Sequence, residues 1–215
     1  MRTGGHGHGR AAGIVLAAGA SSRMGRMKQL LPVGGRPLVA RVLTQALDSD
    51  LDHVALVVGH GAGAVRQAVG DLRLHPKLRI VENIRHERGI STSIKAGLTA
   101  VEQDHDLCMI LLGDMPFVGS YLLNRFLRAF RESGRSLGAV TVGNRRSHPV
   151  VFTRALYPEL HQLEGDRGAR ELFVRHQAQA FLFPADYDDR DIDTKAQYEA
   201  IRDGKGEQDS SPQSS

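Results

Sequence analysis

Short apolar runs alternate with apolar faces of helical period along most of this 215-residue chain. The run at 13–17, GIVLA, is partly β-branched and soon cut off by glycine, which predicts a buried parallel strand. Pro37 then suits a first helical turn, and Leu38, Val39, Val42, Leu43, Ala46 and Leu47 form one face. His53–Val58 and 78–81 read as the next strands. Ile90, Ile94, Leu98 and Val101 predict a helix from about Ser91 to about Asp104, with Ser91, Thr92 or Ser93 able to cap it. Residues 107–114, LCMILLGD, are the most hydrophobic stretch and predict the central strand. A helix follows over 119–132, then strands at 137–142 and 149–152 joined by a polar loop, GNRRSH. Gly165 and Gly168 mark a tight turn before a helix at 169–176, and 178–183 is a late strand. Asp193 and Thr194 precede a last helix, with Thr194 and Gln197 at capping-box spacing. Strands and helices in alternation predict an α/β fold with helices on both faces of a mostly parallel central sheet.

One domain is expected over 12–202, between a glycine- and histidine-rich tail at 1–11 and a polar tail at 203–215, both disordered. His6 and His8 in the first tail offer no defined metal shell. Cys108 is the single cysteine, so an internal disulfide and a cysteine zinc cluster are both excluded, and a cytoplasmic location is the default. The formal net charge of +4 admits a polyanionic partner, but aromatics are only 5% and Trp is absent, which leaves little for base stacking. Nucleic acid is therefore not an expected partner. No apolar run reaches the roughly 18 residues of a membrane helix, and MRTGGHGHGR lacks the apolar segment of a signal peptide. No membrane partner is expected either.

The basic excess is local. Asp48 is the first acidic residue, and Arg2, Arg10, Arg23, Arg26, Lys28, Arg36 and Arg41 all precede it. After the first strand, Ala17, Ala18 and Gly19 are small enough for a ligand to touch the backbone, and successive free N–H groups there make an anion-binding concavity. Arg23, Arg26 and Lys28 add positive charge, so a nucleoside triphosphate is the natural ligand. It is not a P-loop, since Gly25 is followed by Arg26, Met27, Lys28 and Gln29. Asp114, just past the central strand, stands where open α/β sheets bind ligands and where a carboxylate suits Mg²⁺; a turn or helix cap is the alternative use. A rival loop, Gly59-x-Gly61-x-x-Ala64, fits a dinucleotide fingerprint with Glu82 near the acidic position, but it follows the second strand rather than the first.

The stretch LAAGASSRMGRMKQLLPVGGRPL resembles the signature loop of nucleotidyltransferases of the molybdenum cofactor cytidylyltransferase type. The resemblance implies a Rossmann-like three-layer sandwich of the nucleotide-diphospho-sugar transferase kind. It implies that Leu16, Ala17, Ala18 and Gly19 wrap the nucleotide, with Arg23 and Lys28 on the phosphates and acting with Asp114 in catalysis. NIRHERGISTSIKAGL resembles a second family element, which implies that Gly89 and Ser93 lie against the base. LLGDMPFV and the D-I-D-T run resemble its metal motifs, which implies a Mg²⁺ cofactor on Asp114 and Asp193. The region around His148 resembles a G-H-P element that borders the acceptor, though Ser147 stands in the glycine position. G-D-R-G-A-R at 165–170 implies an acceptor role for Asp166, Gly168 and Ala169. The reaction so implied transfers CMP from CTP to the phosphate of molybdopterin, with release of pyrophosphate. A GTP-using or other small-phosphate enzyme, and a non-catalytic carrier of molybdenum cofactor to a client molybdenum hydroxylase, are the alternatives.

Overall fold

The computed structural model describes residues 9–20, 27–190 and 197–199. The expected parallel alternation is present. Seven strands, β1 (Ala11–Ala17), β4 (His53–Val58), β5 (Leu78–Glu82), β6 (Leu107–Leu112), β7 (Leu137–Val142), β8 (Arg145–Thr153) and β9 (Ala180–Pro184), form one sheet in the order β5-β4-β1-β6-β8-β7-β9. All pairings are parallel except those of β8, which runs antiparallel to both β6 and β7. A small antiparallel pair, β2 (Pro32–Val33) and β3 (Arg36–Pro37), turns the chain from the first loop into the first helix.

Strand β1 shows why the architecture has three layers. Its alternate residues face opposite ways. Ala11, Val15 and Ala17 join a core with α1 (Leu38–Leu47), α2 (Ala62–Ala68) and α4 (Ser120–Ser133). Ala12, Ile14 and Leu16 join a second core with α3 (Ile90–Val101), α5 (Tyr157–His161) and α6 (Arg170–Arg175). A strand buried on both faces must be apolar throughout, and all seven residues of β1 are buried. Helix α3 lies directly over β1 because Gly97 has no side chain; a Cβ there would come within 2.3 Å of Ile14. Fully buried side chains such as Phe126, Phe130 and Phe152 each contribute roughly 1.5–3 kcal/mol of apolar transfer. Cys108 is part of this interior, and burial pushes its thiol up to about 12.

Several sequence expectations shift. The packed domain begins before residue 12: Ala11 opens β1, the Arg10 carbonyl accepts the amides of Asp106 and Leu107, and the Gly9 carbonyl accepts from Arg131. The expected GNRRSH loop is mostly strand, since β8 starts at Arg145 and only Gly143 and Asn144 turn the hairpin. Helix α3 begins at Ile90, beside Ser91 as expected, but ends at Val101 rather than about Asp104, and none of Ser91, Thr92 and Ser93 caps it. The late strand starts at Ala180, after a 3₁₀ turn at Gln177–Gln179. Helix α5 was not signalled by its short pattern. Among the described residues, no helix is long and apolar enough to cross a membrane.

Candidate functional site

The loops after β1 and β6 face each other at the carboxyl edge of the sheet, where the chain leaves β1 between neighbours β4 and β6. The Gly113 amide donates to the Leu16 carbonyl at 2.9 Å, which locks the two strand ends together. Beyond it, Met115 and Val118 sink into the core and hold the loop down. Asp114 is thereby turned toward the first loop, and its carboxylate lies 2.6 Å from the Lys28 ammonium. Both side chains keep a little solvent access, 18% for Lys28 and 14% for Asp114, so the pair remains open to a ligand. The first loop is braced in turn. Gln29, itself buried, donates to the Gly19 carbonyl at 2.7 Å, and the His60 amide donates to the Ala18 carbonyl at 3.1 Å.

Beside this pair lies a cavity of about 490 Å³ on the α3, α5 and α6 face. Its apolar floor includes Leu16, Ile94, Ile110 and Val150, and its rim includes Arg145, Arg146, Arg167 and Arg170. The guanidinium of Arg146 stands 5.0 Å from the centre of the Phe173 ring, which sets it over an apolar wall. Arg145 is committed elsewhere, to both carboxylate oxygens of Asp189 at 3.0 Å.

His148 reaches the same cavity through an irregularity in its strand. Ala139 pairs with Val150 and Val140 with Ser147, so His148 and Pro149 have no partner across β7. An unpaired insertion of this kind bends a strand and re-aims its side chains. Burial holds His148 below the usual histidine value, against the opposing influence of the Ile110 backbone and the Asp114 charge. The imidazole is therefore neutral at pH 7, and its buried Nδ1 has no hydrogen-bond partner among the described residues. Tyr187 fixes this stretch by donating its hydroxyl to the His148 carbonyl and meeting Ser147 Oγ at 3.2 Å. Burial raises the Tyr187 hydroxyl to about 12, so it stays a donor.

The structure gathers most of the sequence candidates into this one region. Ala17 and Ala18 are buried at the end of β1 and Gly19 is exposed beyond them. Leu16, His148, Asp166, Gly168 and Ala169 all line the cavity. Ser93 is buried and accepts from Asn83 Nδ2 at 2.9 Å, while Gly89 sits at the α3 N-terminus with φ 101°. Arg23 and Asp193 fall outside the described residues. Among those described, no group of three or more His, Cys, Asp or Glu gathers as a metal cage. Sequence reasoning passed over Gln29, Asn83 and Tyr187, which hold the candidates in place. The local hints were the KQ pair after the glycine loop and Asn83, which stands within ten residues of its partners Thr92 and Ser93, whereas Tyr187 acts 39 residues from His148.

The rival dinucleotide loop is used structurally. Gly61 has φ 62°, and the Glu82 carboxylate is held by Arg66 at 2.8 Å. Both strands flanking it lie to one side of the β1/β6 junction.

An open, mostly parallel sheet with a glycine-containing loop, a lysine and a carboxylate at its carboxyl edge has the layout in which α/β proteins bind ligands. The chain belongs to the family of MobA-like NTP transferase domains, whose model matches residues 13–180. It is 34% identical over 203 residues to the purine catabolism protein PucB of Bacillus subtilis (strain 168), covering 88% of this chain and 95% of that protein. It is 33% identical over 172 residues to nicotine blue oxidoreductase of Paenarthrobacter nicotinovorans, covering 77% of this chain and 81% of that protein. Among solved structures it is similar to Rv0371C from Mycobacterium tuberculosis in complex with manganese, with TM-score 0.75 and 26% identity, covering 91% of this chain and 98% of that one.

Proposed function

We propose that this protein transfers CMP from CTP to the phosphate of molybdopterin and releases pyrophosphate. The observation that carries this reading is the Lys28–Asp114 pair, 2.6 Å apart at the sheet edge and next to a cavity with an apolar floor and an arginine rim. The pair suits a triphosphate and a divalent ion. The cavity suits an anionic acceptor with a flat, largely apolar body.

Asp114 is a hard oxygen donor, and Mg²⁺ typically takes one or two carboxylates together with phosphate oxygens rather than a full protein cage. That preference supports the reading, as does a structural relative described as a complex with manganese. We assign Asp114 and Asp193 as the residues that would hold it. Bound there, Mg²⁺ supplies charge neutralisation at the triphosphate. The chain's own groups do the rest. Leu16 to Gly19 present backbone to the nucleotide, with Gly89 and Ser93 at the base, and Lys28 and Arg23 offset charge that builds on the leaving pyrophosphate. His148, Asp166, Gly168 and Ala169 border the acceptor. An oxygen of the acceptor phosphate attacks the α-phosphorus in line, the bond from that phosphorus to the bridging oxygen of pyrophosphate breaks, and a new pyrophosphate linkage forms. A phosphate monoester is mostly dianionic at neutral pH and needs no strong general base.

The test is pyrophosphate release with each of the four triphosphates, with and without Mg²⁺, in the presence of molybdopterin. Mg²⁺-dependent release with CTP is the expected result. Release with GTP instead corrects the donor, and bound molybdopterin with no release favours a carrier that serves a client molybdenum hydroxylase. A second reading draws on the relative named as an oxidoreductase and on Gly59-x-Gly61-x-x-Ala64. It requires NADH or NADPH binding that is lost in Gly61→Val.

A further inference from the structure

Helix α3 runs for twelve residues from Ile90, and its N-cap residue, Gly89, supplies no side-chain cap. Its first amides are instead satisfied from a segment more than seventy residues later in the chain. The Ile90 amide donates to Asp166 Oδ1 at 3.2 Å, and the Ser91 amide donates to the Gly165 carbonyl at 3.1 Å. The contact is close enough to exclude any side chain, since a Cβ on Gly89 would lie 2.4 Å from the Gly165 carbonyl. Gly168 continues it, since a Cβ there would come within 3.3 Å of the Ile90 side chain, closer than side chains ordinarily pack. On the other side of the same helix turn, Asn83 donates to Thr92 at 2.8 Å and to Ser93 at 2.9 Å.

The start of α3 is thus clasped between the end of β5 and the 165–168 turn. These two flanks belong to different half-sites. Gly89 and Ser93 are assigned to the nucleotide and Gly168 and Ala169 to the acceptor, so the inference rests on the reading above. We infer that Asp166 is a positioning residue: its carboxylate oxygen, by capping α3 from the acceptor turn, couples the donor half-site to the acceptor half-site. Its side chain is exposed and is free to be replaced without opening the core. What the role requires is an oxygen acceptor at that place, not a negative charge.

That distinction sets the experiment. Asp166→Asn keeps an oxygen that can accept from Ile90, and Asp166→Ala removes it. Amide hydrogen exchange is measured on the full chain, and KM and kcat for CTP and for molybdopterin are measured by pyrophosphate release. The expectation for Asp166→Ala is about fivefold faster exchange at Ile90 and Ser91 and a rise of several-fold in KM for both substrates. Asp166→Asn is expected to bring exchange at Ile90 and Ser91 back to within about twofold of the wild type and to lower both KM values together relative to Asp166→Ala. Equal loss in the two variants overturns the proposal, because it makes the charge itself essential. A rise in KM for molybdopterin alone also overturns it, leaving Asp166 as a direct acceptor contact. If the wild-type protein turns over none of the four triphosphates, the transferase reading fails. The exchange comparison of the two variants, with and without each triphosphate and Mg²⁺, then decides by itself whether Asp166 joins the two elements.

Discussion

The parallel half of the sheet and the β8–β7 hairpin reach the same cleft by different routes. In β1 and β6 the strands are buried almost throughout, and their chemistry begins only where they end, at Ala18 and at Asp114. In β8 the order is reversed. This strand runs antiparallel to β6, so its first residues lie at the cleft edge and its last residues lie in the core. Arg146 and His148 are therefore strand residues that project from the sheet itself, while Phe152 in the same strand packs on Phe173. A parallel strand delivers a loop to a ligand, whereas an antiparallel one can deliver side chains held by ladder hydrogen bonds. Here Arg146 stands at a paired position and His148 at the unpaired insertion beside it. The first arrangement suits backbone contacts to phosphates, the second a shaped acceptor wall.

Removing the centre of the parallel half should have the largest effect. Asp114→Ala is expected to lower turnover on the order of 10³-fold with the fold intact, read as pyrophosphate release beside an unchanged circular dichroism spectrum. Retention of most of the activity would remove Asp114 from the reaction. Next, Phe152→Ala cuts the buried base of β8 and should cost about 3–5 kcal/mol in denaturant unfolding. A loss under 1 kcal/mol would mean that the hairpin is not anchored through this ring. A smaller effect is expected at the hairpin's working end. Arg146→Ala should raise the KM for an anionic acceptor about tenfold while leaving the KM for CTP unchanged; a matching rise for CTP would erase the division between the halves.

The smallest effect is on acid stability and draws one histidine from each half. His53, at the start of β4, and His148 are both held below the usual histidine value of 6.5, each chiefly by burial. For His53 the charges of His105, Arg79 and Arg10 act in the same direction and Asp104 opposes them. A group whose folded-state value is depressed binds its proton more readily in the unfolded chain. Its stabilisation is present above pH 6.5 and is lost as pH falls below that point. Thermal midpoints at pH 7.5 and pH 5.5 should therefore differ less in His53→Gln and in His148→Gln than in the wild type. An equal or larger difference in either variant would assign the acid sensitivity to other groups.

Much of this was legible in the sequence because it is local. Strand β4 occurs at His53–Val58 as the apolar run requires, and α1 and α4 follow their periodic faces within a residue or two. The glycine loop and Asp114 could be picked out one by one, since each comes just after a buried strand, and Lys28 as part of the basic run beyond that loop. The unsignalled parts are long-range. A Pro149 inside an apolar strand was a cue to an irregularity, but only the pairing of β7 with β8 shows that His148 is the residue re-aimed. The serines at the head of α3 fitted a local cap, yet the cap comes from Asp166.

The sequence by itself determined the order of elements, their burial and the charge placed after β1, because periodicity and turn chemistry act over a few residues. Tertiary structure decided which of those residues meet. The 2.6 Å approach of Lys28 to Asp114 joins positions 86 residues apart, and the clasp of Asp166 on Ile90 joins positions 76 apart. Such contacts depend on strand order, which places β1 beside β6 and admits one antiparallel strand next to it. Strand order is set by how whole apolar faces pack against one another, and no short stretch of sequence carries that information.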